Sequence, residues 1–282
     1  MSAAVATGVG APARSSRRGV TFGGVVASEW TKLTSLRSPW WTALVTVAVA
    51  AVITLLSANA SSVDPGFQPE DSITTGLLLA QLGPLVLGVL VGAGEFRTGA
   101  FRSTFAGVPR RWPVIAAQAV VTAGFGLAVA VLTVVACVVG VMPAAASRGM
   151  TLDLARDGMP GVLLGSTLFL VGLALLGLAI GSLMRRTVPA LVTSIVLVFV
   201  LPMVLMLATD PMITQDSDPT VAGTVGAFLP GTAGQLMTIP SSNGPMPGAP
   251  DLGPVGGGLV LAAWVVVLLG LAALRLRTRD VR

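Results

Sequence analysis

Six stretches of the chain, 40–58, 76–94, 114–142, 160–184, 188–208 and 255–274, contain no Asp, Glu, Lys or Arg. Each is close to the roughly 20 residues that an α-helix needs to cross about 30 Å of hydrocarbon at 1.5 Å per residue. Inside a bilayer every backbone N–H and C=O must find its partner within the protein, and a helix does this within one segment. The expected fold is therefore an all-α integral membrane protein with six transmembrane helices. Composition agrees, since 54% of the residues are hydrophobic and only 10% are charged. A water-soluble domain covers its surface with roughly 25% charged residues.

What precedes and separates these runs sets the expected organisation. Residues 1–20 are small and polar, with Arg14, Arg17 and Arg18 following a weakly apolar stretch, and read as a disordered cytoplasmic tail. A secretory leader places its positive charges before the apolar core instead. Residues 21–38 read as an amphipathic interfacial helix. Phe22, Val25, Val26, Trp30, Leu33 and Leu36 recur at helical spacing, and Ser28, Thr31, Lys32 and Ser35 fall on the other side. Pro39 is expected to break this helix from the first span, with Trp40 and Trp41 as interfacial anchors. Residues 39–282 form the six-span domain. The long third run carries Gly124 and Gly126 and is expected to tilt or bend. The 209–254 segment is the longest loop, and its apolar part, 221–239, interrupted by Pro230 and Gly231, reads as re-entrant or surface-lying.

Charge gives an expected orientation. Fifteen of the 17 basic residues fall in the N-terminal region, the second-to-third and fourth-to-fifth connections and the C-terminal tail. The other connections hold only Arg148 and Arg156 but nine of the 12 acids: Asp64, Glu70, Asp71, Asp153, Asp157, Asp210, Asp216, Asp218 and Asp251. Both termini are thus expected in the cytoplasm. Basic residues spread in this manner serve topology, and no nucleic acid partner is expected.

Catalysis has little to work with. There is no histidine and no tyrosine, and Cys137 stands alone in an apolar run. Ser-His and Cys-His nucleophiles, His-ligated zinc and disulfide frameworks are thereby excluded. Lys32, the one lysine, lies in Trp30-Thr31-Lys32-Leu33 without the glycines or following Ser/Thr of a phosphate-binding loop. ATP hydrolysis is not expected here, and neither is any cofactor. Ion-driven carriers generally keep an ionisable group inside the membrane, and these runs have none, so active transport would draw its energy from a partner at the cytoplasmic face. A non-transporting membrane scaffold or regulatory subunit, and an ion-coupled carrier that uses backbone carbonyls, stay open as alternatives.

The second connection holds Glu95, Arg97, Phe101, Arg102 and Phe105, and reads as a short surface helix suited to docking. The motifs Ser28-Glu29-Trp30-Thr31-Lys32-Leu33 before Pro39-Trp40-Trp41, Gly94-Glu95-Phe96-Arg97-Thr98-Gly99 with Arg102-Ser103-Thr104 and Val108-Pro109-Arg110-Arg111, and Phe228-Leu229-Pro230-Gly231-Thr232-Ala233-Gly234 resemble actinobacterial permeases of the type-2 ABC exporter family. The resemblance runs along essentially the whole chain. It implies a bacterial plasma-membrane permease that works with a cytoplasmic ABC ATPase, which binds the ATP and Mg, and with a second permease copy. It also implies that Glu29, Lys32, Glu95 and Arg97 belong to an ATPase-coupling region, to which Phe101 and Arg102 are adjacent. Glu29 and Lys32 can equally form a plain surface pair at i, i+3. By the same analogy the second and fifth spans line the substrate path, making Gln81, Phe199, Met203 and Met206 path residues for a hydrophobic or amphipathic cargo. Gly88-x-x-x-Gly92 and Gly177-x-x-x-Gly181 allow close helix approach, either between two copies or within one.

Overall fold

The computed structural model describes residues 21–98, 112–155, 158–208, 220–240 and 250–278. The expected tail, Phe101, Arg102 and the rest of the expected surface helix after residue 98 lie outside the described residues. Within them the architecture is all-helical, with no strand. Six stretches are long and apolar enough to span a membrane: Arg37–Ser61, Pro69–Gly94, Pro113–Ser147, Met159–Met184, Thr187–Ala208 and Gly253–Arg275.

Helix α1 (Phe22–Ser35) is capped by Thr21, whose hydroxyl accepts the Gly24 N–H at 3.3 Å. It ends at Leu36, which has extended φ/ψ, and α2 (Arg37–Ser61) starts directly after it. The break therefore falls three residues before Pro39. Pro39 lies buried in the first turn of α2, where a helix needs no N–H, and Ser38 before it is itself helical. The indole of Trp40 turns back to donate to the Thr34 carbonyl at 3.0 Å, satisfying an end of α1, and meets the Phe125 ring edge-on at 5.5 Å.

The second span is made in two pieces, α3 (Leu77–Ala80) and α4 (Leu82–Thr98), after a 3-10 turn at Pro69–Ser72. Pro84 removes the N–H that a continuous helix would offer to the Ala80 carbonyl, and the chain slips at Gln81. Helix α5 (Trp112–Ser147) runs unbroken through Gly124 and Gly126. Its 36 residues extend ~54 Å at 1.5 Å each, well beyond a ~30 Å hydrocarbon layer. Helix α6 (Met159–Met184) ends at Arg185 in left-handed conformation. The fifth span consists of α7 (Thr187–Ile195), a π turn over Val196–Val200 and α8 (Leu201–Ala208). Pro202 accounts for the π turn, since it cannot donate to Val198 and the preceding Leu201 N–H bonds back to the Val196 carbonyl.

Helices α4 and α6 form the centre. Gly88 faces the backbone of Ala174 and Leu178, Gly92 that of Leu178 and Ser182, and Gly177 that of Leu85 and Val89, so the two helices run parallel. A Cβ on Gly181 would stand 2.8 Å from the Val89 carbonyl oxygen, and one on Gly88 would stand 2.7 Å from the Leu178 nitrogen. Both small-residue pairs are thus consumed within the chain. They provide no surface for a second copy, which corrects one of the two uses the sequence left open.

Around this pair, α2 and α5 close one core of Ala50, Ile73, Leu77, Cys137, Val141 and Leu170. A second core, with Leu85, Phe169, Leu173, Val198, Leu261 and Val265, joins α4, α6, the fifth span and the last helix, α11 (Gly253–Thr278). Arg148 Nη2 donates to the Asp64 carbonyl at 2.9 Å, and Glu70 accepts the Asp153 N–H at 2.9 Å, tying the loops at the acidic end. At the basic end Arg275 donates to the Leu183 carbonyl.

Between the fifth and last spans the chain folds into α9 (Val221–Ala227), α10 (Pro230–Gln235) and a 3-10 turn at Leu236–Thr238. Trp264 Nε1 donates to the Phe228 carbonyl at 2.9 Å, and Gly231 sits on the Val198 carbonyl. Trp264 is eleven residues inside α11 and Val198 ten from the end of α8, so the turn at Phe228–Gly231 reaches ~15 Å along the bundle from the acidic end. The segment is inserted rather than laid on the surface. The reason is its small residues: Gly234 admits the Phe169 ring and Gly257 admits the Ala233 carbonyl.

Substituting Gly88 or Gly177 by Val is expected to destabilise the protein by about 1–3 kcal/mol or more, because the colliding atoms are backbone. Gly161→Val, where a Cβ meets nothing within 4 Å, serves as the control. Thermal unfolding in detergent checks this: the first two variants should melt several degrees lower and the control unchanged.

Candidate functional site beneath helix α1

Helix α1 divides its apolar residues between the protein and its surroundings. Val25, Glu29 and Leu33 are buried at i, i+4 and i+8, whereas Phe22, Trp30 and Leu36 are exposed. The apolar stripe read from the sequence is thus split: Val25 and Leu33 pack on the protein with a carboxylate between them, and Phe22, Trp30 and Leu36 point away from it. Exposed tryptophan and phenylalanine are costly in water and well suited to a lipid boundary.

Each apolar residue flanking Glu29 meets its own cluster. Val25 packs with Val114 and Ala117 of α5. Leu33 packs with Leu87 of α4 and Val121, Phe125 and Val129 of α5. Glu29 lies between these clusters, 6% exposed, and faces Gln118, which is 5% exposed. Lys32 Nζ donates to Glu29 Oε1 at 2.5 Å, and Gln118 Nε2 reaches Glu29 Oε2 at 3.5 Å, a long bond. The Glu29–Lys32 pair is therefore half inside the protein, with the acid enclosed and the lysine at the rim, rather than the surface pair that its spacing also allowed. Enclosing a carboxylate without partners costs several kcal/mol, so the ammonium and the amide help α1 to dock in this register.

A cavity of about 370 Å³ opens beside this pair, roofed by α1 and the α1–α2 corner and walled by α4, α5 and the start of α7. Glu29, Lys32, Gln118 and Thr187 contribute its polar end, and Leu87, Leu90, Val91 and Val121 its apolar wall. Gln118 was read from the sequence only as a polar residue within a span; its partner is Glu29, 89 positions away, which no local signal encodes. Glu95 and Arg97 continue α4 beyond Gly94, at the same end of the bundle as α1.

The four residues expected along a path are divided. Met203 and Met206 are 65% and 67% exposed on α8, on the outside of the subunit. Phe199 is half-buried against the second core. Gln81 is apart from all three. It is 1% exposed, and its amide donates to the Leu78 carbonyl at 2.7 Å, which caps the slip in the second span. A second cavity, about 770 Å³ and almost wholly apolar, runs between α6 and α11 near the acidic end, with Leu164, Leu168, Leu259 and Val266 along it. Among the described residues no group of three or more His, Cys, Asp and Glu side chains is placed to hold a metal ion.

Replacing Lys32 by Ala is expected to leave Glu29 enclosed without its ammonium and to loosen α1 by about 2 kcal/mol, less than a fully buried pair costs because Lys32 is partly solvated. Glu29→Gln combined with Lys32→Ala should recover part of that loss. Hydrogen exchange over residues 22–35 measures both, and equal protection in wild type and Lys32→Ala would contradict the assignment. Compared with protein-family models and with the curated proteins, the chain matches none.

Proposed function

We propose that this chain is the membrane-spanning permease subunit of an ATP-driven exporter of the type-2 ABC class, powered by a separate cytoplasmic ATPase that binds the ATP and Mg. The observation that carries the reading is the pairing of two features. The apolar runs of six membrane-type helices carry no Asp, Glu, Lys or Arg, and a charged helix, α1, is docked through Glu29 onto one end of them. A chain of this kind has no internal site for a coupling ion of the usual sort. It does have an element at the membrane boundary, in contact with α5 and close to the end of α4, through which a partner's motion could reach the spans. Glu29, Lys32, Glu95 and Arg97 form the coupling region in this reading, with Phe101 and Arg102 following in the connection after α4.

The end with α1 and the C-terminus of α11 is then cytoplasmic, in keeping with its basic residues. The protein sits in the plasma membrane of a bacterium, and α1 lies in the interface with Phe22 and Trp30 toward lipid. A second permease copy joins at the sparsely packed fifth span, where Met203 and Met206 flank a path for a hydrophobic or amphipathic compound. Gln81 is turned inside the chain, at the slip in the second span that Pro84 imposes.

The test is purification from the native host. An ATP-binding subunit should co-purify, and Glu95→Ala should lower ATP turnover of the assembled complex at least several-fold without dissociating it. Stable isolation with no such subunit supports a scaffold, and uptake by the chain alone in liposomes under a proton or sodium gradient supports a secondary carrier. Either outcome overturns the proposal.

A further inference from the structure

The cavity under α1 has the make-up of a ligand site rather than a packing defect. Its volume, about 370 Å³, falls at the lower end of the roughly 300–1,000 Å³ range of small-molecule sites. It is strongly two-sided. One wall is aliphatic, from Leu87, Leu90, Val91 and Val121, and the other end gathers an enclosed carboxylate, an ammonium at the rim and the Gln118 amide. The hydroxyls of Ser35, Ser38 and Thr187 complete the rim.

We infer that this cavity binds a zwitterionic phospholipid with a primary-amine head group, of the phosphatidylethanolamine type, taken from the leaflet at the basic end of the bundle. The charges are ordered for such a head: Glu29 is inside and Lys32 is at the mouth, 2.5 Å apart. The lipid ammonium adds a charge-assisted bond to the Glu29 carboxylate, which has several acceptor positions, and the lipid phosphate meets Lys32 and the rim hydroxyls. One acyl chain follows the aliphatic wall and the rest stays in the bilayer. A purely anionic head lacks the ammonium that the enclosed Glu29 carboxylate would receive. A choline head would need aromatic faces around its quaternary nitrogen, and among the described residues none lines the cavity. The setting also favours lipid over a solute, because the helices that form the walls are of membrane-spanning length and apolarity.

Because this reading concerns the chain alone, it can fail while the permease proposal stands, and the reverse. The experiment titrates the full chain in detergent, without any ATPase, by native mass spectrometry. The probes are dioctanoyl phosphatidylethanolamine, the phosphatidylcholine and phosphatidylglycerol of the same chain length, and soluble phosphoethanolamine. The ethanolamine lipid should bind at least tenfold tighter than the other two lipids, and phosphoethanolamine should not compete with it. Glu29→Gln should weaken the ethanolamine lipid at least tenfold and leave the choline lipid unchanged. Leu90→Trp should fill the cavity and abolish the specific binding. Should that variant not fold, Leu36→Trp at the exposed rim should reduce binding with little load on the core. Equal affinity for the three lipids, unchanged binding by Glu29→Gln, or full binding by the tryptophan variant that folds would each overturn the inference. Competition by phosphoethanolamine at matching concentration would overturn it as well, assigning the cavity to a soluble solute.

Discussion

Backbone-to-backbone contact between α4 and α6 is the constraint from which the arrangement of the remaining helices follows. Within an apolar medium, burial of hydrocarbon no longer distinguishes one helix face from another, so closeness of approach decides which helices pair. Gly88, Gly92, Gly177 and Gly181 let these two helices touch along two turns. Once they are fixed in parallel, α5 and α2 are held on one flank, and α11 with the inserted α9–α10 segment on the other. The same device recurs where other segments must come close. Gly83 makes room for Thr46, Gly165 for the Met237 backbone and Gly231 for Val198.

Glu29 shows what happens when a charge is placed where such packing would favour an alkyl group. Leucine at that position would join the Val25 and Leu33 clusters into one seam. The carboxylate instead recruits Lys32 and Gln118, and leaves a two-sided cavity at its edge. Polarity in the docking face of a boundary helix weakens its attachment and gives that attachment a chemical sensitivity that an apolar seam lacks. That combination suits the coupling role proposed for α1.

Much of this architecture is legible in the chain itself. The six runs and their approximate limits follow from length and the absence of charge, and the amphipathic stretch before them is visible in its spacing. Details set by partners distant in sequence are not. The place of Glu29 in the buried row of α1 depends on Gln118, so apolar spacing pointed to Val25 and Leu33 but not to the carboxylate between them. The break at Leu36 was masked by Pro39, whose preference for the first turn of a helix is as strong as its tendency to end one. Gln81 looked like a polar group awaiting cargo, but its environment is set by Pro84 three residues later and by a backbone carbonyl one turn back. The glycine pairs were readable as contact points, and only the three-dimensional arrangement says that each is the other's partner.

The π turn before Pro202 has a further consequence for the fifth span. Ala190, Ser194 and Val198 make a regular inward row up to that turn, and none of Leu201–Ala208 is buried. One additional residue in a turn rotates everything after it by about 100°. The azimuth of the distal half is thus tied to that turn: insertion or loss of one residue near Val196 would swing Leu201–Ala208 to a new azimuth while the proximal half kept its seat.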